Sequence, residues 1–96
     1  MLSISSIENT IKELKPVLNI KYKVNKIGYF GSYATGNATE TSDIDILVEF
    51  SEPIGWEFFD MQDLLEKKLK CKVDLVSIKA LKEQLKDVII NQVRFV

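Results

Sequence analysis

The sequence contains no histidine, one cysteine, one arginine and one tryptophan. Without histidine there is no Ser-His-Asp or Cys-His relay and no histidine-ligated metal centre. The single cysteine, Cys71, excludes an intramolecular disulfide and a CxxC site. Any catalysis must therefore use carboxylates, hydroxyls, lysines and backbone amides, and carboxylates favour hard cations such as magnesium.

The charge balance and the hydropathy pattern exclude further classes of protein. The 96 residues include 13 Lys and Arg against 14 Asp and Glu, a net charge of -1, so we expect no direct nucleic-acid binding. No apolar run approaches the length of a membrane span, and Met1–Lys15 lacks the apolar segment of a signal peptide. Since there is also no disulfide framework, we expect a cytoplasmic protein. No repeat or linker divides the chain, which predicts one domain over residues 1–96.

Helical and strand patterns alternate along the chain. Ile7, Ile11, Leu14 and Leu18 have the spacing of one helix face, although Pro16 makes the last turn of that helix uncertain. Short β-rich segments at 24–30, 44–50 and 72–76 predict three strands. Apolar residues at helical spacing predict further helices over about 55–70 and 78–93. The expected order is therefore α-β-(turn)-β-α-β-α.

A glycine and a serine directly follow the first predicted strand. Gly31 at the strand exit permits tight backbone geometry, and Ser32 with the residues after it could form an anion-binding corner. The alternative is an ordinary glycine turn with a serine helix cap. Taken alone, the pair favours that alternative.

Two aspartates flank an isoleucine where the second predicted strand begins. In a strand, side chains at i and i+2 share a face with Cα atoms about 6.5–7 Å apart, so Asp43 and Asp45 should point the same way while Ile44, Ile46 and Val48 face the core. Such carboxylates repel each other unless a cation compensates them, and one or two magnesium ions would do so. The alternative is an acidic strand edge with both carboxylates solvated.

A third aspartate, Asp74, interrupts the third predicted strand, where β-propensity disfavours it. It is a further candidate metal ligand, and the alternative is a charge that protects an edge strand. Glu49 is a rival third carboxylate, but it lies further down its strand from Asp45 and ranks lower.

Together, Gly31-Ser32, a gap of ten residues, Asp43-Ile44-Asp45 and a later strand aspartate, Asp74, resemble the DNA polymerase β-like nucleotidyltransferase superfamily. The closest likeness is to its minimal members, the MNT domains often paired with HEPN-domain proteins. The resemblance covers nearly the whole chain. It implies an α+β fold in which a small mixed β-sheet packs with helices, with a short helix after the first strand.

The resemblance also implies roles for these residues. Gly31 and Ser32 would bind the phosphates of a nucleotide, and Asp43 and Asp45 would coordinate the Mg²⁺ ions that bridge the triphosphate. Asp74 would complete the metal that activates the acceptor hydroxyl. Two ions with ATP as the nucleotide donor are expected, and this chemistry needs charge neutralisation and positioning more than covalent catalysis.

The sequence departs from the family pattern at Thr35. Many relatives have arginine there, giving GSxARG where this chain has GSYATG. Threonine cannot make the bidentate phosphate contact of arginine, so we expect weaker nucleotide binding or a substitute such as Lys26.

The short chain leaves little beyond a catalytic core, so we expect a shallow acceptor site or one supplied by a partner. For MNT domains beside HEPN proteins, the resemblance implies an antitoxin that transfers AMP from ATP to a tyrosine of a HEPN ribonuclease toxin. Two alternatives remain open. One is an antitoxin that neutralises its partner by binding alone, and the other is a nucleotidyltransferase acting on a small molecule or an RNA end.

Overall fold

A four-stranded mixed sheet with strand order β3-β2-β1-β4 forms the centre of the molecule. The structure is a computed structural model, and it describes all 96 residues. The elements are α1 (Ile4–Tyr22), β1 (Val24–Phe30), α2 (Ser32–Thr35), β2 (Ile44–Phe50), α3 (Glu57–Leu69), β3 (Val73–Ser77), a 3₁₀ turn (Ile78–Ala80), α4 (Glu83–Gln92) and β4 (Arg94–Phe95). β1 pairs antiparallel with both β2 and β4, whereas β2 and β3 are parallel. The α+β class expected from the sequence is confirmed, and the expected element order holds from α1 to β3.

Helix α1 buries the apolar face that its spacing predicts. It begins after Ser3, whose hydroxyl accepts a hydrogen bond from the Ser6 amide, and it continues through Pro16 to Tyr22. Proline normally ends or kinks a helix, but burial of Leu18 and Tyr22 beyond it holds the last turn in place. No helix in the structure is both long and apolar enough to cross a bilayer.

Helix α3 packs against α1 and β3. It buries Met61, Leu65 and Leu69 at helical spacing, as the sequence predicts. Its ends complement the helix dipole, with acidic residues in the first turn and lysines in the last. The core between the helices and the sheet also takes Ile44, Ile46 and Val48 of β2, all inaccessible to solvent. These strand residues therefore face the core as expected.

The C-terminal part of the chain differs from the sequence-based expectation. The predicted last helix over 78–93 is wrong at its start, because residues 78–80 form a 3₁₀ turn and α4 begins only at Glu83. A fourth strand, β4, follows it and was not predicted. Helix α4 has no buried residue, and its Leu85, Val88 and Ile90 are exposed.

Gly28 makes room for β4. A Cβ atom at this position would lie 2.6 Å from the backbone oxygen of Arg94 and 2.9 Å from the Cα atom of Phe95. β4 pairs Phe95 with Gly28 and Arg94 with Tyr29, and the Val96 amide donates to the carbonyl of Ile27. The final residues are thus fixed against the strand that leads into the candidate site.

Candidate nucleotide and metal site

The candidate site lies at the carboxyl end of β1 and the amino ends of β2 and β3. Register alone places it there, because Phe30 at the end of β1 pairs with Asp45 in β2, and Asp45 pairs with Asp74 in β3. Neighbouring strands lie about 4.8 Å apart, so the aspartates are adjacent. The Gly31-Ser32 turn continues β1 directly beside them.

Gly31 adopts a backbone conformation that favours glycine. Its φ of 69° and ψ of -147° lie in a region that residues with a Cβ atom rarely enter. A side chain here would also collide with the carboxylate of Asp45. The glycine is therefore required both by the turn and by the close approach of the acidic strand.

A network of hydrogen bonds closes the turn. The carbonyl of Gly31 accepts the amides of Ala34 and Thr35 at 3.0 Å each and the Thr35 hydroxyl at 3.2 Å. The Asn37 side-chain nitrogen donates to that same hydroxyl at 3.1 Å. Thr35 thus stabilises the turn in this chain, which is a role that the sequence did not indicate.

The backbone amide of Gly31 donates to Oε1 of Gln92 at 2.6 Å. Gln92 is the last residue of α4 and is partly buried. Sequence reasoning missed this residue, since a contact between positions 61 residues apart leaves no local pattern. It means that the Gly31 amide, one of the donors expected to face a phosphate, already has an acceptor within the protein.

Asp45 has the most perturbed carboxylate of the site. Burial, the charge and hydrogen bond of Asp74, and the charge of Asp43 together raise its pKa to about 6. Asp43 lies one residue before β2 and is exposed, as is Asp74 within β3. The structure thus brings all three predicted aspartates into one electrostatic group around Asp45.

These three carboxylates offer only oxygen ligands, which suits a hard divalent cation. No group of three acidic or cysteine side chains is gathered closely enough to form a preassembled metal site in this conformation. Burial raises the pKa of Asp45 most, and the negative charges of Asp74 and Asp43 raise it further. A bound cation would neutralise these charges. The oxygen ligands therefore fit a metal ion that draws the three carboxylates together when it binds.

Two other residues considered from the sequence lie elsewhere. Glu49 is four residues along β2 from Asp45, about 13 Å away in a strand, and accepts a hydrogen bond from Asn25. The ammonium of Lys26 lies 5.8 Å from the ring centre of Phe95. Neither residue supplies a ligand or a charge to the aspartates, so the expectation that Lys26 replaces the missing arginine is not supported.

An apolar hollow of about 360 Å³ lies at the opposite end of β2 and β3. It is lined by Phe50, Ile54, Phe58 and Phe59 together with Glu49 and Lys79, and contains none of the predicted site residues. Trp56 beside it is 84% exposed. The hollow is separate from the aspartates.

A glycine-serine turn beside paired strand aspartates defines the class of a nucleotidyltransferase, and comparison with known proteins agrees. The model of the nucleotidyltransferase domain family matches residues 11–96. The chain therefore belongs to the nucleotidyltransferase domain family. It is an enzyme of that class.

Within the family, the chain resembles small archaeal members. It is 49% identical over 83 residues to a Methanocaldococcus jannaschii protein provisionally named protein adenylyltransferase MJ0128, covering 85% of each chain. It is 38% identical over 97 residues to protein adenylyltransferase MntA of Thermococcus cleftensis, covering 100% of this chain and 98% of that one.

Solved structures show the same fold. A chain from a crystal structure of a toxin–antitoxin with AMP-PNP matches with a TM-score of 0.76 at 30% identity, covering 92% of this chain and 70% of that one. A chain from a tri-AMPylated Shewanella oneidensis HEPN toxin in complex with an MNT antitoxin matches with a TM-score of 0.65 at 26% identity, covering 94% and 67%. A structure described as a minimal nucleotidyltransferase matches with a TM-score of 0.85 at 24% identity, covering 97% and 95%, which supports the fold alone.

Proposed function

We propose that this protein is a Mg²⁺-dependent protein adenylyltransferase and the antitoxin of a toxin–antitoxin pair. In this proposal it transfers AMP from ATP to a tyrosine of a partner HEPN ribonuclease toxin in the cytoplasm, and residues 1–96 act as one domain. The observation that carries the proposal is the register of Asp45 with Asp74 directly beside the Gly31-Ser32 turn. The toxin–antitoxin structures that share the fold support the choice of partner.

The residues of the site have distinct parts in this reaction. The turn at Gly31 and the Ser32 hydroxyl hold the phosphates of ATP, while Asp43, Asp45 and Asp74 hold the metal. When bound, Mg²⁺ supplies charge neutralisation for the triphosphate and lowers the pKa of the acceptor hydroxyl. The tyrosine oxygen forms a bond to the α-phosphorus, the bond to the β-phosphate bridging oxygen breaks, pyrophosphate leaves and the hydroxyl proton passes to solvent. No histidine is needed for these steps.

The test is transfer of label from α-labelled ATP to the product of the neighbouring gene in the presence of Mg²⁺. We expect the wild-type protein to label its partner and to add the mass of AMP to a tyrosine. The double variant Asp43→Asn/Asp45→Asn should lose transfer by at least about a hundredfold while remaining folded, because it removes charged ligands that stabilise the transition state. Glu49→Gln is the matched control, since it removes a carboxylate from the other end of the same strand. An absence of labelling by the wild-type protein contradicts the proposal.

Neutralisation by binding alone is the second candidate, and the threonine at position 35 favours it. Thr35 bonds within the turn and offers no guanidinium to a phosphate. If this candidate holds, the double Asp→Asn variant still suppresses toxicity in cells and the partner carries no covalent AMP. If adenylylation is required, the same variant fails to protect cells even though it forms the complex.

A further inference from the structure

Gln92 reaches the nucleotide turn from a distant part of the chain. Its carboxamide oxygen accepts the Gly31 amide at 2.6 Å across 61 residues. The other hydrogen bonds of the turn come from within residues 31–37, apart from a long one of 3.5 Å from the Leu2 amide to the Tyr33 hydroxyl. Gln92 therefore provides a fixed point outside the turn itself.

The C-terminal strand holds Gln92 in position. β4 begins two residues later, where Arg94 pairs with Tyr29 of β1. The Val93 amide still bonds to the carbonyl of Ile89, so the end of α4 is connected directly to the strand pairing. Gly31 directly follows β1, and Tyr29 of β1 pairs with Arg94 next to the end of α4. The same strand therefore supports both partners of the Gln92–Gly31 hydrogen bond.

The position of Gly31 governs the distance between the turn and the acidic residues. Gly31 approaches Asp45 so closely that no Cβ atom fits between them. A movement of its peptide would therefore displace Ser32 relative to Asp45. An amide acceptor is suited to this place, since it bonds the Gly31 amide without adding a fourth negative charge to the three carboxylates.

We propose that Gln92 is a positioning residue for nucleotide binding. It fixes the Gly31 peptide and thereby holds Ser32 in the position from which it contacts the phosphates of ATP. This role rests on the proposed use of ATP. The Gly31 amide itself stays bonded to Gln92 when the nucleotide is bound. Gln92 acts through the turn and has no contact with the reacting atoms.

The test compares Gln92→Met, which keeps the length of the side chain but removes the acceptor, with Asn91→Met at the exposed neighbouring position. We expect the Gln92→Met variant to bind ATP with Mg²⁺ about tenfold more weakly by calorimetry, because the loosened turn must be ordered again when the nucleotide binds. Its Gly31 amide should exchange with solvent faster by NMR, and its melting temperature should fall by several degrees relative to that of Asn91→Met, because the amide loses its acceptor. Asn91→Met should bind ATP as the wild type does.

Several results would overturn this inference. Equal ATP affinity of Gln92→Met and wild type contradicts the role of Gln92 but not the proposed function. Tighter binding by Gln92→Met also contradicts that role, because it would mean that Gln92 competes with a phosphate for the Gly31 amide. A wild-type protein that binds no ATP contradicts the proposed function as well. A measurement without any variant serves the same purpose: saturating ATP with Mg²⁺ should leave the Gly31 amide protected, and its release on binding would refute the role of Gln92.

Discussion

At the scale of single residues, the dominant feature is negative charge held at Asp45 without compensation. Its neighbours Asp74 and Asp43 are both acidic, and burial adds to the cost of ionisation. Nothing about packing requires this arrangement, because the core face of β2 is formed by its isoleucine and valine side chains. The arrangement therefore lowers local stability, as expected at the proposed metal site.

We expect Asp45→Asn to stabilise the metal-free protein while abolishing nucleotidyl transfer. The substitution removes the cost of holding a partly buried charge beside two other carboxylates. This cost is about 1 kcal/mol after allowance for solvent screening, which corresponds to a rise in melting temperature of about 4–8 °C. Calorimetric melting in the presence of a chelator measures this rise.

Asp63→Asn on the exposed surface of α3 is the matched control for Asp45→Asn, since it removes the same charge away from the site. It should change the melting temperature little and leave transfer intact. A metal-free Asp45→Asn variant that melts below the wild type would show that the carboxylate stabilises the fold instead of straining it.

At the scale of elements, the short strand β4 has more influence than its two residues suggest. It depends on the missing side chain of Gly28, because backbone atoms of Arg94 and Phe95 occupy the place of a Cβ atom. It also connects the end of α4, and with it Gln92, to β1. The edge of the sheet and the Gly31-Ser32 turn are therefore mechanically linked.

We expect Gly28→Ala to destabilise the protein by about 1–3 kcal/mol, because the methyl group meets backbone that has no rotamer to change. Urea unfolding measures the loss, and faster exchange of the Val96 amide, which bonds to Ile27 in the native ladder, locates it. Gly55→Ala is the control, since its Cβ atom would only touch a Glu57 carboxylate oxygen at 3.6 Å. Equal stability of the two variants would argue against a tightly docked β4.

At the scale of the whole molecule, the raised pKa of Asp45 makes stability depend on pH. The folded protein holds this proton up to a pH of about 6, whereas the unfolded chain loses it near 3.8. The folded state therefore binds more protons between these values, and the contribution of Asp45 to the free energy of unfolding falls as pH rises through this window. Above about pH 6 Asp45 is ionised in both states, and its full destabilising contribution is present.

We expect the stability difference between Asp45→Asn and the wild type to be near zero at pH 3.5 and to grow to its full value by pH 7 without metal. Urea unfolding of both proteins at several pH values measures this difference and cancels the titration of groups remote from Asp45. Saturating Mg²⁺ should reduce the difference at pH 7, because the cation stabilises the wild-type carboxylate. A difference that is independent of pH would exclude the assigned titration.

The sequence predicted those parts of the fold whose signals are local. β1 and β2 match the expected bounds, since Gly31 ends one strand and a turn before Pro53 ends the other. The position of Gln92 and the existence of β4 depend on contacts between distant residues, which leave no periodic pattern. The apolar spacing in α4 predicts an amphipathic helix correctly over 83–92, but not that none of its residues is fully buried.

The aspartates show the same division between local and distant information. The interval from Gly31-Ser32 to Asp43 and Asp45 is readable because it lies within one turn and one hairpin. That Asp74 comes to lie beside Asp45 follows only from the parallel pairing of β2 with β3 after α3. The raised pKa of Asp45 was therefore beyond prediction from the strand pattern, even though each aspartate was identified.

The parallel pairing of β2 and β3 also has a consequence for the order in which the molecule folds. The β1–β2 hairpin closes over a short stretch of chain, so it can form early with the turn and two of the aspartates already together. β3 must wait for the α3 crossover, and only its docking brings Asp74 against Asp45. The charge repulsion thus acts on a late step, and a cation at the aspartates would chiefly slow the release of β3 during unfolding, with little effect on the rate of hairpin closure.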